Sequence, residues 1–186
     1  MNTAELENLL SGAVETDSLE FKQAMAWNRN VFVKDILAMA NIVDGGRIVV
    51  GIEDETLVRQ GLSAEEVATF DFQTMRDQIA PFADPRVVFR VELVVDSGGL
   101  TFVVIEIEPF DDVPIICKRD GADVNAGEIY YRSRVRRPQS ARIDNSADMR
   151  EVLERSAAHL MGRFRMLGFD APDDDQAQFD EELGEL

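Results

Sequence analysis

The apolar positions of the first fifty residues change from helical to strand spacing, and this predicts the order of the first elements. Residues 3–11 have the pattern of a short helix, and "SLEF" at 18–21 that of a short strand. A longer helix is predicted next, capped by Asn28 or Asn30, because apolar residues recur three or four positions apart at Val33, Ile36, Leu37, Ala40 and Val43. Gly45-Gly46 ends this helix, and the continuous apolar run "RIVVGIE" predicts a buried strand.

The rest of the chain predicts a helix, a hairpin, two short strands and a final helix. Ser63 and Glu66 have the spacing of a capping box, so a helix is expected from there to about Ala80, before Pro81. The runs "RVVFRVELVVD" and "LTFVVIEIEPF" flank "SGG" and predict a β-hairpin. "VPIICK" and "EIYYRS" predict short strands, and a last helix is expected between a Ser146 cap and a Gly168 stop.

This order of elements predicts an α+β fold with one layered domain. We expect a mixed, largely antiparallel sheet packed by helices, followed by a C-terminal helix and an acidic tail. The predicted organisation is a domain over residues 1–153, the end of the C-terminal helix over 154–169, and an acidic, disordered tail over 170–186.

Charge is distributed unevenly along the chain. The net charge is −17, and residues 170–186 contribute eight acids and no base. In contrast, "RSRVRRPQSAR" at 132–142 carries five arginines and no acid. The chain has 16 Arg and only 3 Lys, which fits a salty cytoplasm or a GC-rich genome equally well. No apolar run has the length of a membrane span and the N-terminus lacks a signal-peptide pattern, so we expect a cytoplasmic protein without a membrane partner.

Acids and bases near the predicted strand ends are the candidates for chemistry. Glu15 and Glu20 flank the start of the first strand, and a later strand leads to Glu53 and Asp54. If such carboxylates converge, their hard oxygen ligands suit Mg²⁺ or Mn²⁺, and the metal can polarise a phosphate. A plain salt bridge between Glu20 and Lys22, which share one side of a strand, is the structural alternative.

The arginine-rich segment is the candidate for phosphate contacts. Guanidinium groups make charge-assisted and often bidentate hydrogen bonds to phosphate. The preceding Tyr130 and Tyr131 have side chains that can stack on a base. A nucleotide-binding loop is not predicted, because "GGRIVVGIED" lacks the lysine of a P-loop and runs into a strand rather than a helix.

Taken together, "ETDSLEFK", "AMANIVDGGRIVVGIED", Gly61 and "IYYRSRVRRPQSA" resemble the Schlafen-type Alba-like (AlbA_2) family. That family's pattern has an E-S-x-x-x-E-F-K opening, an A-x-A-N-x-x-G-G-x-x-x-x-G-x-x-D centre and a Y-x-R-x-G-S-x-x-x-x-A closing segment. The resemblance spans roughly residues 12–153. This chain differs in having Thr16 for the usual Ser, Asp44 before Gly45, and Arg134-Val135-Arg136-Arg137 where a Gly-Ser turn is usual.

The resemblance implies a nucleic-acid-binding domain, and bacterial members of the family often regulate transcription. Some Schlafen proteins are metal-dependent endoribonucleases with a three-carboxylate centre, which would fall here on Glu15, Glu20 and Asp54. The nucleases of the family use two such lobes that form a clamp around RNA. This chain has one lobe, so the resemblance implies a homodimer that supplies both. The expected nucleic-acid contacts follow the opening and closing motifs: Lys22, Tyr131, Arg132, Arg134, Arg136, Arg137 and Arg142.

The sequence therefore leaves three functions open. The first is binding of DNA or RNA, most simply for regulation. The second is cleavage of structured RNA such as tRNA by a Mg²⁺- or Mn²⁺-dependent endoribonuclease using Glu15, Glu20 and Asp54. The third is a protein-interaction module or inhibitor, in which the acidic tail competes with nucleic acid for a basic groove.

Overall fold

The structure is a computed structural model that describes residues 2–11, 16–53, 56–133 and 139–168. The helices are α1 (Thr3–Leu10), α2 (Arg29–Ala40), α3 (Ala64–Ala68), α4 (Phe72–Ile79) and α5 (Ser146–Met166), with a 3₁₀ turn over Ala80–Phe82. The strands are β1 (Leu19–Lys22), β2 (Gly46–Val50), β3 (Ala83–Asp84), β4 (Phe89–Val95), β5 (Thr101–Ile107), β6 (Ile116–Cys117), β7 (Tyr130–Arg132) and β8 (Ser140–Arg142).

The main sheet has the strand order β1-β2-β5-β4. The first two strands are parallel and are joined through α2, as a parallel pair requires a crossover. The other pairs are antiparallel, and β4 and β5 form the predicted hairpin with Phe89 opposite Ile107. The predicted α+β fold with a mixed, largely antiparallel sheet is confirmed.

Each face of this sheet carries its own apolar core, because successive side chains of a strand point to opposite faces. Val49 and Val104 belong to the core under α1, which contributes the fully buried Leu6. Ile48 and Ile105 belong to the larger core under α2, where Ile36 and Leu37 are fully buried. The sheet therefore separates α1 from the layer built by α2.

A separate hairpin of β7 and β8 closes the α2 side of the fold. Tyr130 pairs with Arg142 and Arg132 with Ser140. The buried side chain of Asn41, just after α2, joins this hairpin to the β6 region: Nδ2 donates to the carbonyl oxygens of Tyr130 and Ile115, both at 2.9 Å. Ile115 N returns a bond to Asn41 Oδ1 at 2.7 Å. All hydrogen-bonding atoms of this amide are thus used to hold three segments together.

Several predicted boundaries differ from the structure. The helix expected from Ser63 to Ala80 is divided into α3 and α4, because Asp71 accepts from Thr74 N at 2.9 Å and caps a second helix. The capping box of Ser63 and Glu66 is present. Asn145, not Ser146, caps α5. The two short strands β3 and β8 were not predicted, since each has so few residues that no alternation is visible.

Candidate functional site: the charged network between β1 and the β7–β8 hairpin

Glu20 lies at the centre of a buried charged network on β1. Its carboxylate is largely buried, and both oxygens bond to cations. Oε2 accepts from Arg132 Nη1 at 2.6 Å, and Oε1 pairs with Lys22 Nζ. Lys22 also pairs with Asp35 Oδ2 of α2 at 3.0 Å. The salt bridge that the sequence offered as the alternative for Glu20 and Lys22 is therefore present, within a larger network.

Arg132 connects the hairpin to the beginning of β1. Its side chain is fully buried, although arginine is almost never fully buried unless it is paired. Nη1 also bonds to Ser140 Oγ at 3.2 Å, and Nη2 donates to the carbonyl oxygen of Thr16 at 3.0 Å. Arg132 Nε has no hydrogen-bond partner, the one such buried side-chain nitrogen or oxygen that the described residues contain. One guanidinium thus fixes β7, β8 and the chain before β1 relative to one another.

The charge on Lys22 is maintained by its two carboxylate partners. Burial alone would lower the pKa of this ammonium, but the nearby charges of Asp35 and Glu20 outweigh burial and raise its pKa above the ordinary value. Lys22 remains a cation at neutral pH and balances two buried acids. Asp35 was not predicted as part of this site. The available signal was an acid within the apolar stretch of α2, between Val33 and Ile36.

The segments next to the other two predicted acids, Glu15 and Asp54, run close to the two ends of β1. Thr16 forms a bridge with Leu19, so the chain that follows Glu15 turns tightly into β1. At the other end of β1, Gly51 N and Ile52 N donate to Lys22 O at 2.8 and 3.0 Å, so the chain that leads to Asp54 leaves β2 beside Lys22. Glu15 and Asp54 themselves lie outside the described residues.

The predicted nucleic-acid contacts separate into three groups. Arg132 and Tyr131 are buried, with exposed fractions of 0% and 3%. Arg132 is enclosed by its partners and Tyr131 packs in the α2 core, so this fold does not present the two side chains at the surface for the expected contact with nucleic acid. Lys22 is half-buried and paired with Glu20, and Arg142 is exposed but paired with Glu128 at 3.1 Å. Arg134, Arg136 and Arg137 lie between β7 and β8, outside the described residues.

The glycines of the central motif serve packing. Gly45 has φ +67°, and a Cβ there would lie 2.2 Å from Ile107 O. Gly51, with φ +111°, allows the chain at Gly61 to approach β2, and Gly61 N donates to Gly51 O at 3.0 Å. The positive φ angles and the close contacts at these positions explain why the motif needs glycine there.

The network does not have the composition of a metal centre. Within residues 2–11, 16–53, 56–133 and 139–168, no group of three or more His, Cys, Asp or Glu side chains is arranged to hold a metal ion. Glu20 would have to exchange Arg132 or Lys22 for the metal. Of the three predicted ligands, only Glu20 lies within the described residues, and Glu15 and Asp54 lie outside them.

A groove with mixed charge lies on the α1 face of the sheet, where α1 leaves the strand ends uncovered. It measures about 680 Å³ and is bordered by Ser18 and Gly46. Glu106 on its floor bonds to both Arg47 and Arg90 at 3.1 Å. The two guanidiniums share this one carboxylate, and the groove is also lined by Asp44, Glu108 and Asp111. Acids therefore outnumber bases, and the groove offers a phosphate no net positive charge.

Comparison with known proteins identifies the family. The family model described as "Schlafen, AlbA_2" matches residues 15–138. The chain therefore belongs to the Schlafen AlbA_2 family, which confirms the resemblance seen in the sequence motifs. A comparison with curated proteins found no match.

Solved structures support the same fold. One is the DIP2311 protein of Corynebacterium diphtheriae, with a TM-score of 0.54 and 20% identity over 84% of this chain; the chain spans only 32% of that protein. Another is the N-terminal domain of a Nitrosomonas europaea protein described as related to the ATP-dependent DNA helicase RecG, with a TM-score of 0.50 and 22% identity, covering 78% of this chain and 94% of that one. At these identities the likeness concerns the fold.

None of the helices in the described ranges is both long and apolar enough to cross a membrane.

Proposed function

We propose that this protein is a nucleic-acid-binding regulator that contacts phosphate through the segment between β7 and β8. The observation that carries the proposal concerns the two residues that flank this segment. Arg132 pairs with Ser140 in the hairpin, and its guanidinium bonds to the buried Glu20. The intervening sequence contains Arg134, Arg136 and Arg137, and both of its ends are fixed to the body of the domain. A cation-bearing segment with fixed ends loses less conformational freedom when it binds a polyanion.

Several arginines of the described residues are already paired with acids. Arg47 and Arg90 bond to Glu106, Arg59 bonds to Glu7, and Arg142 bonds to Glu128. In a chain with net charge −17, phosphate contact requires cations that are not already neutralised by a neighbouring acid. The family membership and the name of the RecG-related neighbour point to the same class of partner.

Fluorescence anisotropy with labelled RNA and labelled duplex DNA tests the proposal. The double variant Arg136→Ala/Arg137→Ala should weaken binding, and the dependence of log K on log salt should become shallower by about one unit per lost phosphate contact. The matched control is Arg76→Ala, which removes a cation paired with Asp77 on α4 and should leave binding unchanged. Equal binding by the wild type and the double variant would overturn the assignment of this segment.

We propose cleavage of structured RNA as the second candidate function, with Glu15, Glu20 and Asp54 as the carboxylates and Mg²⁺ or Mn²⁺ as the metal. The specific support is the position of Glu20 on β1, which its bond to Arg132 fixes. The segment that follows Glu15 leads directly into β1, and the segment that leads to Asp54 leaves β2 beside the end of β1. When bound, the metal would polarise a phosphate of the substrate. Glu20 would first have to give up one cationic partner.

Incubation of the protein with a tRNA pool and either metal distinguishes binding from cleavage. A nuclease should yield fragments that disappear in Asp54→Asn while RNA binding persists. Intact tRNA with both metals would leave binding as the function.

We also propose that two copies act together, because a dimer provides the two lobes that the family's nucleases use.

A further inference from the structure

The outer edge of β4 is an unpaired strand edge. β4 is the last strand of the main sheet, and no other strand in the described part of the chain pairs with its outer side. Such an edge presents free N–H and C=O groups and is a template for another strand. Lysine and proline are the residues that commonly block such pairing, and "FRVELVV" contains neither.

The hydrogen bonds at the two ends of β4 define which residues face outwards. Val88 O accepts from Glu108 N, and Asp96 N donates to Leu100 O, both at 2.9 Å, so the even-numbered residues bond towards β5. Val95 O accepts from Thr3 Oγ1 at 2.9 Å on the other side. Because the direction alternates along a strand, the backbone groups of Phe89, Val91 and Leu93 point outwards.

The side chains along this edge are apolar on one face and charged on the other. Leu93 and Val95 are exposed to 57% and 47%, beside the half-buried Val91. Arg90 and Glu92 occupy the opposite face. Arg90 is 59% exposed and uses Nε for its bond to Glu106. An edge that combines exposed apolar side chains with one base and one acid suits a partner edge with the same sequence.

We infer that the β4 edge pairs antiparallel with the β4 edge of a second copy of this chain, around a two-fold axis at Val91. This axis places Arg90 opposite the partner's Glu92, and symmetry repeats the pair. Directly opposite residues of opposite charge stabilise an antiparallel pair. Phe89 then lies opposite the partner's Leu93, and Val91 opposite the partner's Val91.

Charge and an existing hydrogen bond disfavour the neighbouring registers. An axis at Arg90 or at Glu92 would place like charges opposite each other, which is destabilising. With the axis at Leu93, the carbonyl oxygen of Val95 would have to accept a hydrogen bond from the partner strand. That oxygen already accepts a hydrogen bond from Thr3 Oγ1. The register at Val91 uses the outward groups of Phe89–Leu93 and leaves the bond to Thr3 intact.

The inference specifies the surface of the dimer proposed above, and it is tested without nucleic acid so that its outcome is independent of binding. Light scattering after size-exclusion chromatography should give twice the chain mass of 20.8 kDa for the wild type. Leu93→Lys should give a monomer, because a lysine on the edge blocks pairing. The control is Leu153→Lys on α5, where the leucine is similarly exposed (54%), and it should stay dimeric. A monomeric wild type, or a dimeric Leu93→Lys, would overturn the inference.

Disulfide trapping tests the register separately. In a Cys117→Ala background, oxidised Val91→Cys should form a covalent dimer on a non-reducing gel, because directly opposite residues in a hydrogen-bonded pair have Cα atoms about 5.5 Å apart, within disulfide range. Leu93→Cys should stay monomeric on the same gel, since it faces the partner's Phe89. Cross-linking through Leu93→Cys but not Val91→Cys would overturn the register.

Discussion

Arg132 and Glu20 are 112 positions apart in the sequence, and their side chains meet at 2.6 Å in the interior of the protein. The bond joins the opening and the closing motifs of the Schlafen AlbA_2 pattern, so these motifs define one structural unit. It also explains why an arginine in a basic segment is absent from the surface. The predictions below follow from this pair and from three other contacts.

Replacing Arg132 with alanine should lower the free energy of unfolding by about 3–5 kcal/mol, because it removes one partner of a buried ion pair. The remaining pair of Glu20 with Lys22 places the loss towards the lower end of this range. Urea denaturation measures the change. Arg142→Ala is the control, since its exposed pair with Glu128 should contribute about 0–1 kcal/mol. Similar losses in both variants would show that the buried pair contributes no more than a surface pair.

Gly45→Ala should destabilise the fold more than Gly127→Ala does. Both glycines have positive φ, +67° and +85°, so both variants incur the left-handed cost of about 1–2 kcal/mol. Only at Gly45 does the new Cβ meet an atom, Ile107 O at 2.2 Å, whereas nothing lies within 4 Å at Gly127. Overpacking should add about 1–3 kcal/mol at Gly45. Thermal unfolding of the two variants compares them, and equal melting temperatures would contradict the packing role of Gly45.

Asn41→Ala should reduce stability by about 3 kcal/mol, because it leaves the buried backbone groups of Ile115 and Tyr130 without their partner. Hydrogen exchange should localise the effect to amides of the β6 and β7 regions. Asn8→Ala on the exposed side of α1 is the control and should change stability little. Uniform loss of protection throughout the sheet, with no excess at β6 and β7, would contradict the local role of Asn41.

The pair of Glu7 and Arg59 should make stability sensitive to acid. The hydrogen bond from Arg59, assisted by bonds from Ser97, lowers the pKa of Glu7 from 4.5 to about 2. A carboxyl whose pKa is lower in the folded state contributes stability above the unfolded pKa, and this contribution is lost as pH falls through the folded pKa. Glu7→Gln should therefore be less stable than the wild type at neutral pH, and the difference should shrink between pH 4.5 and about 2.

Urea denaturation across this pH range checks the prediction. Arg59→Gln removes the other partner, so its difference from the wild type should shrink over the same interval. A difference for Glu7→Gln that is constant from neutral pH to pH 2 would show that this carboxyl does not cause the acid sensitivity.

Local signals in the sequence were sufficient for much of the fold. The spacing of Val33, Ile36 and Leu37 predicted α2, and "SGG" between two apolar runs predicted the hairpin of β4 and β5. These features depend on periodicity and turn residues, which act over a few positions. The division between α3 and α4 was missed because Asp71 forms a cap that outweighs the surrounding helical pattern.

The sequence by itself determined the family, the order of the main elements and the acids and arginines that belong to its motifs. Only the tertiary structure decided which of these charges are accessible. Arg132 and Tyr131 are buried because the β7–β8 hairpin packs on β1 and α2, and Asp35 joins Glu20 through Lys22 because the crossover places α2 over that strand. Burial and ion pairing depend on contacts between distant segments, and a one-dimensional pattern does not specify them.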